Sequence, residues 1–356
     1  MKSQILSNFI NDYLFNQTSG YYRKSNPIGN NADFITAPEI SSIFGELIAL
    51  YIIQITSDKN KIAFVEAGAG KGSLFNDILS TIHKLAAKNI DLAQNFLQKT
   101  KFFIIEINEI LKQEQQSKLK KFDITWCQTL QEFLQYKDNN SEILFLSNEF
   151  FDCFAIDQYV KTDIGWCQRL IDIDDNNIAF RLANFDPKIH NFRENNIGLE
   201  VSQKAPISSL FEFSESSCNF AIQLFKALDQ YNGIVINIDY GYFAREFANS
   251  LQVISNHQKI NFVDILTLDK KCDITAHVDF FLLDKIAKSY NLQSSLVTQR
   301  EFLLSLGILN RMEQLMKLNI VNKENLQKSI NRLINLDEMG ELFKVHIVWS
   351  EKNEKY

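Results

Sequence analysis

Apolar residues recur at helical spacing through the first part of the chain and then change rhythm. Ile5, Leu6, Phe9, Ile10, Tyr13 and Leu14 share one face, so residues 1–20 read as an amphipathic helix stopped at Gly20. A polar loop over 21–35, with Pro27 and Gly29, follows. Thr36-Ala37-Pro38-Glu39 then has the form of a capping box with proline in the first turn. It opens a helix that buries Ile40, Ile43, Phe44, Leu47, Ile48 and Tyr51. From residue 61 short apolar runs take over: 61–66, 101–107, 124–126, 142–147 and 233–240 read as strands. Helices fall between the first four, one reaching Ala87 and others over 108–121 and 129–136. Strands alternating with helices predict a parallel sheet covered on both faces.

Residues 157–232 break this alternation with strand-like pieces at 158–160, 168–173 and 178–182 and a helix near 214–230. Beyond the 233–240 strand come a helix at 279–290, a strand at 294–298, helices to 335 and a terminal strand over 343–349. The expected organisation is an N-terminal helical cap (1–60), a first core segment (61–156), an inserted substrate subdomain (157–232) and a second core segment with a helical insertion (233–356).

The chemistry concentrates where strands end. Glu66-Ala-Gly68-Ala-Gly70-Lys-Gly72 follows a strand and opens a helix, so the chain turns sharply and backbone can approach a ligand closely. Glycine and proline are scarce, 12 and 4 in all, which makes three glycines within five residues a matter of backbone geometry. A dinucleotide loop, G-x-G-x-x-G/A, meets Ser73 at its third position. A P-loop fails outright, because Gly70-Lys71 is followed by Gly72. The E-x-G-x-G-x-G loop of S-adenosylmethionine (SAM) sites fits fully; a tight turn with no ligand is the plain alternative. Glu106 ends the next strand, where a carboxylate can accept both hydroxyls of a ribose. Asn148-Glu149-Phe-Phe-Asp152 ends the fourth strand on the same sheet edge. Its carboxylates read either as acceptor-binding groups or as a helix cap with a surface pair.

Composition narrows the class. A hydrophobic fraction of 46% supports a real core, and a net charge of -6 argues against a general nucleic-acid binder. Cys127, Cys153, Cys167, Cys218 and Cys272 form no C-x-x-C pair and read as free thiols in a reducing compartment. The longest apolar stretch, 47–53, is far short of the roughly 20 residues of a membrane span. No signal peptide is evident, so the expectation is a cytoplasmic protein without membrane insertion. The histidines at 83, 190, 257, 277 and 346 lack ligand spacing, so no metal is expected.

Several segments together resemble the MidA family of SAM-dependent methyltransferases, which includes the mitochondrial protein arginine methyltransferase of respiratory complex I assembly. They are Gly20-Tyr-Tyr22, Asp33-FITAPEIS-Ser41, Phe44-Gly-Glu46, the loop 66–72, Asn148–Asp152, Asp239-Tyr-Gly241, Asp273-ITAHVDF-Phe280 and Met339-GELFKV-Val345. The resemblance implies a Rossmann-like α/β fold of the class I methyltransferase type, with an N-terminal helical cap and an inserted subdomain. It implies SAM as cofactor, held by Glu66, Gly68, Gly70, Gly72, Glu106 and Asn148. An arginine acceptor implies symmetric dimethylation, with the 49-kDa-type subunit of NADH:ubiquinone oxidoreductase as protein partner. Carboxylates would grip its guanidinium: Glu149 first, then Asp152. Glu39 and Asp239 are further candidates for substrate binding, and His277 for a base or orienting group. Trp126 or Gln128 is placed to flank adenine. The competing class is a complex I assembly chaperone that binds a subunit through the insertion and the cap with a weakened cofactor pocket.

Overall fold

The computed structural model describes residues 2–24, 36–175, 177–244, 247–255, 258–268, 272–318 and 322–350. The loop around Pro27 and Gly29, the Asp33–Ile35 start of one family-like segment, and His257 lie outside the described residues.

The main sheet contains β1 (Ile62–Ala67), β2 (Thr100–Ile105), β3 (Ile124–Cys127), β4 (Glu142–Asn148), β5 (Gly233–Tyr242), β6 (Gln293–Thr298) and β7 (Phe343–Trp349). Their spatial order is β6-β7-β5-β4-β1-β2-β3. Strands β1 to β5 run parallel, and β7 lies antiparallel between β5 and β6. A two-residue strand, Val278–Asp279, pairs with the end of β5. The chain winds outward through β2 and β3, then returns to lay β4 on the other side of β1. The crevice at this reversal, outside the carboxyl ends of β1 and β4, is where open α/β sheets bind ligands.

The apolar strand runs have a direct cause. Successive side chains point to opposite faces, and both faces are covered. Phe64, Ile104, Leu144, Leu146, Ile236 and Val345 meet helices Ser42–Ile55, Ser73–Ala87 and Lys323–Ile334. Val65, Phe103, Phe145, Val235 and Val348 meet helices Leu130–Tyr136, Glu215–Tyr231 and Phe280–Ser289. Helix Glu215–Tyr231 therefore belongs with the main sheet, and the inserted strands end at Phe213.

Those inserted strands form an antiparallel sheet of Asp157–Thr162, Gly165–Asp174, Asn177–Leu182 and Leu210–Phe213, joined by Lys2–Ile5. The N-terminus thus departs from the single helix expected over 1–20. Lys2–Ile5 is a strand paired with Leu170–Ile173, and the helix is Leu6–Phe15. The helical spacing of Ile5 was compatible with either state, and the sheet edge that decided it lies more than 160 residues away. Leu6, Ile10 and Leu14 pack with Ile171, Val253 and Ile274, the last two from a small sheet of Gln252–Ser255, Gln258–Ile260 and Asp273–Thr275. This layer roofs the crevice.

Two further details differ from expectation. Helix Asp91–Lys99, with Ala93 and Phe96 turned inward, precedes β2. The capping box at Thr36 does not form: Thr36 makes no side-chain cap bond, and its short helix ends at Ile40. Ser41 caps the long helix instead, its hydroxyl accepting from the Ile43 amide at 3.3 Å. Among the described residues no helix is long and apolar enough to cross a membrane.

Candidate active site

The glycines are used as backbone. Gly68, Gly70 and Gly72 have φ of 65°, 53° and 71°, a region costly for any residue with a Cβ. The Gly68 amide donates to the Ile105 carbonyl at 3.0 Å, which pins the loop to the end of β2. A Cβ on Gly68 would stand 2.8 Å from the Phe150 ring, so the loops after β1 and β4 touch because that atom is missing.

Glu106 follows β2 directly and is buried. Its Oε1 accepts from the Asn108 amide at 2.9 Å and its Oε2 from the Gln115 amide group at 3.0 Å. Burial raises its pKa and these bonds oppose the rise. Gln115 is the residue that sequence reading missed. It is fully buried, donates to the Gly70 carbonyl at 2.7 Å and accepts from the Trp126 indole at 3.0 Å. One side chain thus ties the glycine loop, the carboxylate after β2 and the end of β3 together. Its only signal was Leu111 four residues earlier on the inward face, hidden in the polar run KQEQQS.

The corner after β4 has a different construction. Glu149 holds φ of 51° although it is not glycine, and its amide donates to the Ile238 carbonyl at 2.9 Å. Its Oε1 accepts from Asn148 at 3.2 Å. Burial, with the nearby Asp152 carboxylate, pushes the Glu149 carboxyl up to about 8, against the pull of the Asn148 side chain and the Ala37 amide. Asp239 underwrites the corner: its Oδ2 accepts from the amides of Phe150, Phe151 and Asp152 at 3.1, 2.9 and 3.2 Å, and its Oδ1 from the Tyr240 amide at 2.9 Å. Both oxygens are therefore committed to backbone, and the geometry makes Asp239 a positioning residue, in contrast to the expected substrate contact. Burial and the carboxylates of Asp152 and Glu149 push its pKa up. The Tyr240 hydroxyl donates to Asp152 Oδ2, and burial lifts Asp152 to about 6.

These loops border an open-mouthed cleft of about 740 Å³, a volume that includes the solvent in its mouth. Gly68, Gly70, Glu106, Glu149 and Asp152 all face it. A smaller adjoining cavity is bordered by Glu39, Glu66, Lys71, Asn148 and Glu149. Glu66 Oε2, Asn148 Oδ1 and Glu39 Oε2 are buried there without a hydrogen-bond partner among the described residues. Burial, with the nearby Glu106 charge, pushes Glu66 up to about 8. Orphaned buried acceptors are costly, so the arrangement fits a ligand that brings N–H donors. An amino-acid end against Glu66 and Asn148, with a ribose against Glu106, fits the cofactor implied by the resemblance. Glu39, for which the sequence pattern favoured a capping role over a functional one, faces this cavity, and burial raises its pKa. His277 sits apart. It borders a second small cavity with Glu212 and Tyr242, and its ring lies edge-on to Tyr240.

Comparison with known proteins agrees with this geometry. Residues 47–298 match the sequence family described as "Putative S-adenosyl-L-methionine-dependent methyltransferase". The chain is 27% identical to the mitochondrial protein arginine methyltransferase NDUFAF7 of Danio rerio, over 95% of this chain and 82% of that protein. The Homo sapiens counterpart is 25% identical over 95% and 78% of the two chains. In fold, a COG1565 superfamily member from Burkholderia thailandensis, crystallised with S-adenosyl-homocysteine, superposes with a TM-score of 0.81 at 22% identity, covering 98% of this chain and 88% of that one. The expectation of a cytoplasmic protein is corrected by these relatives, which are designated mitochondrial. Free thiols indicate only a reducing surrounding, and more than one compartment provides it. With its family match spanning more than half of its length, the chain belongs to the MidA-type family of SAM-dependent methyltransferases.

Proposed function

We propose that this enzyme transfers the methyl group of SAM to an arginine guanidinium of a protein substrate. The observation that carries the reading is the corner after β4, where the carboxylates of the half-buried Glu149 and the buried Asp152 open onto the same cleft as the glycine loop and Glu106. The relatives named as protein arginine methyltransferases support the acceptor class. Symmetric dimethylation, and the 49-kDa-type subunit of NADH:ubiquinone oxidoreductase as target, rest on the sequence resemblance alone.

Bound SAM supplies a methyl group already activated by its sulfonium. The residues of the chain have the remaining tasks of positioning and charge. Glu66 and Asn148 would hold the amino-acid end and Glu106 the ribose. Glu149 would accept the forked N–H donors of the guanidinium and keep one nitrogen directed at the methyl. Each methylation exchanges one N–H for N–CH3 and sheds one proton, which a Glu149 carboxylate oxygen can take up. Asp239, through its amide bonds to residues 150–152, would keep this corner from relaxing. Intact left-handed glycines and unpartnered acceptors describe a pocket built for a ligand, so a chaperone with a degraded pocket is the poorer reading.

Radiolabelled methyl transfer to the purified subunit tests the proposal, with mass spectrometry locating the modified residue. Label on arginine in the wild type, reduced about 100-fold or more in Glu149→Gln, is the expected result. Stable complex formation without transfer would replace the enzyme reading by the chaperone. In parallel, Glu106→Ala should weaken S-adenosyl-homocysteine binding by about 10-fold or more, and an unchanged isotherm would remove Glu106 from the site.

A further inference from the structure

The small cavity beside the main cleft is bordered by acceptors from three separate parts of the chain. Glu66 lies near the end of β1, Asn148 ends β4, and Glu39 belongs to the short helix Ala37–Ile40 of the N-terminal cap. Glu66 is 2% exposed and Asn148 8%. Glu66 Oε2, Asn148 Oδ1 and Glu39 Oε2 are the atoms left without a hydrogen-bond partner among the described residues. An acceptor buried without a donor is costly, so three around one cavity point to a ligand that brings donors.

The segment that carries Glu39 is held in place by backbone. The Glu39 amide donates to the Thr36 carbonyl at 2.9 Å, and the Ala37 amide donates to the Glu149 carboxylate. Thr36 borders both the cleft and the small cavity, so the cap is laid across the junction of the two. The cavity border also has a cation, Lys71 of the glycine loop. Burial raises the Glu39 pKa, and the charges of Lys71 and Lys118 oppose the rise. Acceptors beside a lysine have the polarity of a zwitterionic amino acid: its ammonium brings N–H donors, and its carboxylate calls for a cation.

We infer that Glu39, carried by the N-terminal cap, is a third acceptor for the ammonium of SAM, beside Glu66 and Asn148. An ammonium of this kind carries three N–H donors, and each of the three unpartnered oxygens takes one. Glu39 thus serves the cofactor and not the guanidinium, and the cap becomes part of the cofactor site. The inference rests on the placement of the amino-acid end at Glu66 and Asn148 proposed above, and its test separates the two.

Full-length wild type, Glu39→Ala, Glu39→Gln and Asn148→Ala would be titrated with S-adenosyl-homocysteine by calorimetry. Displacement of that ligand gives the affinity for methylthioadenosine, which shares the adenosine and the sulfur but has no amino-acid end. The expected result is S-adenosyl-homocysteine affinity weaker by about 10-fold or more in Glu39→Ala, with a smaller loss in Glu39→Gln. Methylthioadenosine affinity should stay unchanged in both, as should KM for an arginine peptide at saturating SAM. Equal losses for the two ligands overturn the inference, because Glu39 would then shape the pocket as a whole. A raised peptide KM with intact cofactor affinity also overturns it and returns Glu39 to the acceptor side. Unchanged S-adenosyl-homocysteine affinity in Glu39→Ala, with a loss in Asn148→Ala, removes Glu39 from the site and leaves the placement of the amino-acid end standing. Unchanged affinity in both variants overturns that placement as well.

Discussion

The turns after β1 and β4 are neighbours with the same plan and opposite contents. Each begins with an amide that donates to an adjacent strand, Gly68 to Ile105 at the end of β2 and Glu149 to Ile238 within β5. Each residue is left-handed, at φ of 65° and 51°. After β1 that conformation is given to glycine, and the result is bare backbone that a ligand can approach. After β4 it is imposed on a glutamate, at a cost of roughly 1–2 kcal/mol, and the result is a carboxyl aimed into the cleft. Asp239 holds the second turn with its amide bonds, whereas Gln115 and Ile105 hold the first. One turn removes a side chain to admit the cofactor. The other accepts strain to present one.

Exchanging the two contents is the severest test. Glu149→Gly should reduce methyl transfer by about 100-fold or more while raising stability by about 1 kcal/mol, since the strain and a buried carboxyl both disappear. Activity and denaturant unfolding read the two effects, and a variant that is less stable than wild type would show that the strain argument is wrong. The converse change, Gly68→Ala, should weaken S-adenosyl-homocysteine binding by about 10-fold and destabilise the chain by roughly 1–2 kcal/mol. Its Cβ must both tolerate φ of 65° and displace the Phe150 ring 2.8 Å away. Unaltered calorimetric affinity would mean that the loop has room to spare.

The smallest effect concerns pH. Burial lifts the Glu149 carboxyl from an ordinary 4.5 to about 8. A carboxyl raised on folding contributes stability that is complete below pH 4.5 and is lost as pH rises through 8. The ligand-free wild type should therefore lose thermal stability relative to Glu149→Gln between about pH 5 and pH 9. Parallel melting curves for the two proteins across that range would contradict the assigned burial. In catalysis the sign is reversed, because gripping a guanidinium needs the ionised form. Transfer at limiting substrate should rise with pH toward about 8.

Much of this was legible in the chain. Strands such as 62–67 and 142–148 are buried on both faces, so their apolar runs are unbroken and short, and the glycines after β1 interrupt them sharply. The carboxylates that end β2 and β4 could be placed on one edge because parallel strands carry their carboxyl ends on the same side. Where pairing partners are distant the pattern was ambiguous. Residues 2–5 fit a helix until Leu170–Ile173 supplied a sheet edge. Glu39 fitted a cap until Ser41 proved to be the capping residue. Asp239 resembled a ligand contact until four amides proved to occupy it.

The sequence by itself determined the alternating sheet, the loop that turns on glycine and the identity of the acids at the strand ends. Periodicity and backbone permissiveness are local properties, and neighbouring residues suffice to reveal them. Only the tertiary structure decided which acids share the cleft, that Gln115 ties the glycine loop and Glu106 to the end of β3, and that Tyr22 meets Asp273 across 251 residues. Hydrogen bonds and buried charge depend on distances in space, and no spacing along the chain encodes them.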